Sequence, residues 1–155
     1  MQKDTGPIDL SGLLGSPSAY EVAKDTAGSL PASHRGRAAL CDWQLKRIVS
    51  YLSSRIDSSI RISDLAAEVN LSAGHFGRAF AIRLGMSPHA FIMKFRIERA
   101  RVLLLTSEKS LSEIAFNCGL SDQAHFSRLF RRFEGMTPSQ WRRQELTLMK
   151  QGLRA

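Results

Sequence analysis

The sequence is poor in cysteine and in long apolar runs, and each shortage excludes something. Cys41 and Cys118 are two thiols in 155 residues. Two thiols make neither a disulfide framework nor a zinc site. The longest wholly aliphatic run is Val102-Leu103-Leu104-Leu105, far short of the ~20 residues that a spanning helix needs. No apolar stretch with a small-residue cleavage site opens the chain, so no secretory signal is expected. A membrane protein, a secreted miniprotein and a zinc finger are thereby set aside. A soluble, reduced, cytoplasmic protein is the expectation, with no metal and no cofactor.

What is present points to a polyanionic partner. The chain is 43% hydrophobic and 8% aromatic, enough for a core of about 100 residues. Its formal charge is +8 and its pI about 10.2, which suits nucleic acid or an anionic membrane face. The charge is uneven. Residues 1–42 carry four basic side chains, Lys3, Lys24, Arg35 and Arg37, against Asp4, Asp9, Glu21, Asp25 and Asp42. The basicity therefore belongs to residues 43–155. The first 40 residues also hold five Gly, five Ser and three Pro, with Tyr20 as their single aromatic. Such a segment cannot offset its ordering entropy by burial. Residues 1–41 read as a disordered tail or linker, with a short helix near Tyr20 to Ala27 as an option.

The remainder contains a repeat. At an offset of 49, Ser63, Ala66, Leu71 and Ser72 recur as Ser112, Ala115, Leu120 and Ser121. After a one-residue insertion, His75, Phe76, Arg78, Phe80, Gly85, Met86 and Pro88 recur as His125, Phe126, Arg128, Phe130, Gly135, Met136 and Pro138. Two copies are too few for a solenoid; they indicate duplication of one unit. The unit reads as helix, tight turn, helix, then a third helix start. Ser110 to Glu113 has the capping-box pattern. Gly119, and Asn70 in the first copy, stand where a helix ends in a left-handed residue. Ser72 and Ser121 are expected to cap the next helix. The pairs Phe76/Phe80 and Phe126/Phe130 lie one turn apart on its buried face. Ser87-Pro88 and Thr137-Pro138 restart a helix, with proline at its first position. This is helix-turn-helix grammar.

Between the copies a longer helix is expected from about Pro88 to Thr106, roughly 28 Å long at 1.5 Å per residue. Lys94, Arg96, Arg99 and Arg101 give it a basic component. Leu45, Ile48, Val49, Leu52 and Ile56 mark a first helix starting near Asp42. The expected fold is all-α: two three-helix helix-turn-helix subdomains joined by a long linker helix, about seven helices. Residues 42–106 form the first subdomain with the linker helix, and residues 107–155 the second.

Ala115, Gly119-Leu120, Asp122, Phe126-Ser127-Arg128, Phe130, Gly135, Thr137-Pro138 and Trp141-Arg142 resemble the signature of the AraC/XylS transcription regulators. The wider resemblance covers about residues 43–143. Leu120 and Trp141 stand where that family usually has Phe and Tyr. The family usually joins this module to a sensing or dimerisation domain; this chain, with its 42-residue tail, is similar to the small members or to a fragment. The resemblance implies binding to double-stranded DNA through two helix-turn-helix units in successive major grooves. It also implies transcription regulation, commonly activation through contact with RNA polymerase.

In a helix-turn-helix the second helix enters the major groove, and its N-terminal half meets base edges. On the first reading helix the outward candidates are Ala73, Gly74, His75, Gly77 and Arg78. His75 and Arg78 alone are long enough for polar readout. Gly74 and Gly77 permit close approach and read little, so the first half-site is read chiefly by Arg78 and by DNA shape. On the second the candidates are Gln123, Ala124, His125, Ser127 and Arg128. That richer set predicts stronger base discrimination by the second unit. Helix N-termini at Ser72, Ser87, His89, Ser121, Thr137, Ser139 and Gln140 present amides suited to phosphate, and Arg83, Lys109, Arg131 and Arg132 add charge.

Each assignment has a plainer competitor. Arg78 and Arg128 could pair inside their units, with Glu68 or Asp122. The phenylalanine stripe is core, not a stacking platform, because its spacing is helical. Cys118, beside Gly119, is a buried small apolar residue ahead of a redox sensor. Successive grooves lie about 34–36 Å apart, so a linker of roughly 28 Å implies DNA bent toward the protein, or one unit only partly inserted. The leading reading is a sequence-specific regulator acting as a monomer on DNA, at the bacterial nucleoid. A rival is an interaction module that binds RNA polymerase or another regulator without its own operator. An enzyme, such as a repair alkyltransferase fused to such a module, lacks a visible Cys/His pair or metal cluster.

Overall fold

A computed structural model describes residues 39–152. The expected tail and the short helix near Tyr20 lie outside the described residues. Seven helices and no strand are present among the described residues: α1 (Asp42–Arg55), α2 (Ile62–Glu68), α3 (Ala73–Leu84), α4 (Pro88–Thr106), α5 (Leu111–Asn117), α6 (Gln123–Glu134) and α7 (Pro138–Lys150). The all-α expectation is met, and the linker helix has the bounds its pattern suggested. The chain divides into two compact units. One runs through Arg55 and includes Ile60–Ile92; the other holds Ile56–Ser59 and the chain from Met93 onward.

The first unit closes on side chains spaced by helical turns. Leu45, Ile48 and Leu52 of α1 are buried, with Leu65 and Ala66 of α2 and Phe76, Ala79 and Phe80 of α3. Phe76 and Phe80 pack with ring centroids 5.4 Å apart, and Phe80 meets Phe91 edge-on at 5.3 Å. An Arg47–Glu68 ion pair at 2.8 Å joins α1 to α2, and Arg83 pairs with Asp42. The second unit repeats the plan. Ile114, Ala115, Leu120, Phe126, Phe130 and Trp141 form its core with Ile97, Ala100, Leu103 and Leu104 of α4. Phe130 stacks edge-on against Phe126 at 5.6 Å and Trp141 at 5.7 Å. Fully burying each such ring is worth about 1.5–3 kcal/mol. The phenylalanine stripe is core, as its spacing indicated.

Two arginines of α4 do not belong to a basic surface, contrary to the sequence pattern. Arg96 is buried and donates to the Ser58 carbonyl at 2.8 Å. Arg101 pairs with Glu98 at 3.1 Å, lies 3.9 Å from Glu134 and sits over the Trp141 ring. Helical periodicity places charges on α4 but does not reveal that α6 and α7 bring Glu134 and Trp141 to them.

Glu134 in that cluster makes a pH prediction. Burial raises its carboxyl above the ordinary range, with Arg101 opposing and Glu98 and Glu145 adding repulsion. The folded state thus holds this proton more tightly than the unfolded chain does. The resulting stability is present below the unfolded pKa and is lost as pH rises through the folded value. Glu134→Gln should therefore gain in Tm relative to the parent as pH rises from 4 to 7. Thermal melts across that range check it; a variant less stable at pH 7 would show that the Arg101 attraction dominates.

Candidate nucleic-acid interface

The two units present the same local device. In the first, α2 ends at a turn in which Asn70 has φ 57° and the Leu71 N–H donates to the Ala66 carbonyl at 2.9 Å. In the second, Gly119 has φ 69° and the Leu120 N–H donates to the Ala115 carbonyl at 3.0 Å. The left-handed residues stand where the repeat placed them. Ala66 and Ala115 are buried beneath. Each turn launches a twelve-residue helix, α3 or α6, that ends on a left-handed glycine, Gly85 or Gly135.

On α3 the Ser72 hydroxyl caps the helix, accepting from the His75 N–H at 3.3 Å. Ala73, Gly74, His75 and Arg78 are exposed and Gly77 half-exposed, opposite the buried Phe76 and Phe80. A β-carbon at Gly77 would meet nothing within 4 Å, and one at Gly74 would meet only the Arg78 guanidinium at 3.8 Å. Neither glycine is demanded by packing. The competing pairing of Arg78 with Glu68 does not occur, since Glu68 holds Arg47. Arg78 has no ion-pair partner among the described residues.

On α6 the cap is Asp122 and not Ser121, a correction to the repeat alignment. The Asp122 carboxylate accepts from the His125 N–H at 2.7 Å. The inserted residue moves the register between Ser121 and His125, so the side chain at the capping position is the next one along. Ser121 instead donates to Asp122 at 3.1 Å and lies 3.2 Å from the His125 ring. The His125 N–H and the Ser121 hydroxyl hold the Asp122 carboxyl below its ordinary range, and Arg128 adds to this electrostatically. Gln123, Ala124 and Arg128 are exposed, and His125 and Ser127 are half-buried. The Gln123 carbonyl oxygen accepts from Ser112 of α5 at 2.8 Å.

The proposed phosphate-binding groups fall into two sets. Some are already engaged. Arg83 is paired with Asp42. The Ser87 hydroxyl caps the Ala90 N–H at 3.2 Å. Thr137 caps α7 ahead of Pro138, as the Thr-Pro pattern indicates, and Gln140 completes a reciprocal capping box that the pattern does not reveal. The others, His89, Lys109, Arg131, Arg132 and Ser139, are exposed. Arg142 was known only as a motif residue. Its guanidinium donates to the Leu104 carbonyl at 2.9 Å, which α4 leaves open at its end, and to the Lys109 carbonyl of the following loop at 3.0 Å. Cys118 is fully buried, and burial pushes its thiol up to about 12. That favours the apolar role over a redox one. Among the described residues no His/Cys/Asp/Glu group could hold a metal, and no helix is long and apolar enough to cross a membrane.

Comparison with known proteins places this geometry. The helix-turn-helix domain family matches residues 65–144. This chain belongs to the AraC-type helix-turn-helix family. An AraC-type DNA-binding domain protein of Chromobacterium violaceum is 33% identical, with TM-score 0.62, covering 65% of this chain and 90% of that one. The DNA-binding domain of AdpA, solved in complex with a target DNA, is 28% identical with TM-score 0.61, over 65% of this chain and 91% of that one. Regulatory protein PocR of Salmonella typhimurium is 30% identical over 83% of this chain. The transcriptional activator RhaS of Klebsiella pneumoniae is 34% identical over 59%. The chain spans 39% of the length of PocR and 33% of RhaS. What it shares with them is the AraC-type module.

Proposed function

We propose that this chain is a sequence-specific regulator of transcription that binds double-stranded DNA, placing α3 and α6 in successive major grooves. The observation that carries this is the duplicated reading helix. Each copy buries its phenylalanines and leaves a histidine and an arginine on or beside its exposed face, at the same register. Arg78 and Arg128 suit guanine O6 and N7, and Gln123 suits adenine. Arg131, Arg132, Lys109 and His89 supply phosphate contacts, with Ser139 at the start of α7. Activation through RNA polymerase is the direction suggested by the AraC resemblance and by RhaS, whose name records an activator. The protein acts as a monomer on an asymmetric site in the cytoplasm.

An electrophoretic shift on duplex fragments tests this. Binding should prefer particular sequences, and log affinity should fall linearly with log salt, at ~0.9 per phosphate neutralised. Association with RNA polymerase or another regulator, with no sequence-selective shift, would instead make the chain an interaction module.

A further inference from the structure

The two copies differ in charge at the start of the reading helix. In the first, the cap is the neutral Ser72 hydroxyl, making one bond of 3.3 Å to the His75 N–H. In the second, the cap is the Asp122 carboxylate. One oxygen accepts from the His125 N–H at 2.7 Å and the other from the Ser121 hydroxyl at 3.1 Å. That hydroxyl lies 3.2 Å from the His125 ring. Asp122 is exposed, and its interactions keep it ionised. The duplication makes the comparison internal: two helices of equal length, both started by a side-chain cap, one with a negative charge at its mouth and one without.

We propose that Asp122 is a specificity-determining residue: its carboxylate repels the DNA backbone from the start of α6, so the second unit holds DNA firmly only where base contacts compensate. This rests on the DNA-binding reading above. The physical reason is that the amides of α6 that would meet a phosphate are already turned to an anion of the chain's own. A DNA phosphate brought there meets a like charge within a Debye length, about 10 Å at 0.1 M salt. Ser121, assigned to phosphate by its place in the sequence, is tied to that same carboxylate. Arg128 reaches DNA from a helix whose attraction for any backbone is reduced. Arg78 does so from a helix with no such brake. Of the two reading helices, only α6 then penalises a site whose bases do not compensate, so the second unit discriminates.

The test uses the full chain, a duplex selected from random DNA and a scrambled duplex of equal length. Asp122→Asn keeps a good cap and removes the charge, and Asp122→Ser copies the first unit. Both should fold with a Tm close to the parent's. Both should bind the scrambled duplex roughly 5–10-fold more tightly at 0.1 M salt, with a salt slope steeper by ~0.9. The ratio of selected to scrambled affinity should fall by a similar factor. A purely structural role would instead lower the Tm and weaken binding to both duplexes together. Scrambled-duplex binding that is unchanged or weaker in both variants overturns the proposal. A parent chain that binds neither duplex overturns the DNA-binding reading itself, and this proposal with it.

Discussion

Gly119→Ala is expected to destabilise the second unit by about 2–5 kcal/mol. Two effects add. The residue has φ 69°, where a β-carbon crowds its own carbonyl, a penalty of roughly 1–2 kcal/mol. The added carbon would also lie 2.4 Å from the Ile56 carbonyl oxygen and 2.9 Å from the Arg96 guanidinium. Backbone cannot yield as a flexible side chain can, so either the turn or residues 56–59 must shift. That shift also strains the Arg96–Ser58 bond. For a unit of this size a loss of that order lowers Tm by ~10 °C or more. Gly135→Ala is the control: its φ is 77°, but nothing lies within 4 Å of the new carbon, so only the conformational penalty of roughly 1–2 kcal/mol remains. Equal melting losses in the two variants would show that the close approach at Gly119 carries no energy.

Arg78→Ala and Arg128→Ala should each weaken binding to a selected duplex by about 10–100-fold, the worth of a bidentate guanine contact at ~1–3 kcal/mol. Each should relax base preference at one half-site and leave the other intact, because the side chains stand on separate reading helices. Stability should change little. Arg78 makes no ion pair among the described residues, and Arg128 interacts only across an exposed surface with Asp122. Binding isotherms on duplexes with single base changes in each half-site provide the check. If either substitution weakens every sequence equally, that arginine touches phosphate and reads no base.

Much of this was legible in the residues because the repeat confers redundancy. Asn70 and Gly119 share a register, which marks the turn twice, and the phenylalanine pairs mark the buried face of both α3 and α6. The linker helix was legible from Pro88 at its start and the apolar run near its end. What the sequence hid lay between elements distant along the chain. Arg96 and Arg101 read as surface charge until Ser58, Glu134 and Trp141 were found against them. Arg142 read as a motif residue, and its hold on the Leu104 and Lys109 carbonyls needed α7 to be folded. Asp122 was the near miss. The change of offset from 49 to 50 falls beside it, and that change was the signal that the cap had moved from Ser121.

Selection of duplexes from a random pool by the full chain is the most direct test that this is a two-part DNA reader. The expected outcome is an enriched asymmetric site with two half-sites, 10–10.5 base pairs between centres, and sharper base preference in the half-site lost in Arg128→Ala. A pool that enriches one short uninterrupted site, or nothing above the starting library, would contradict it.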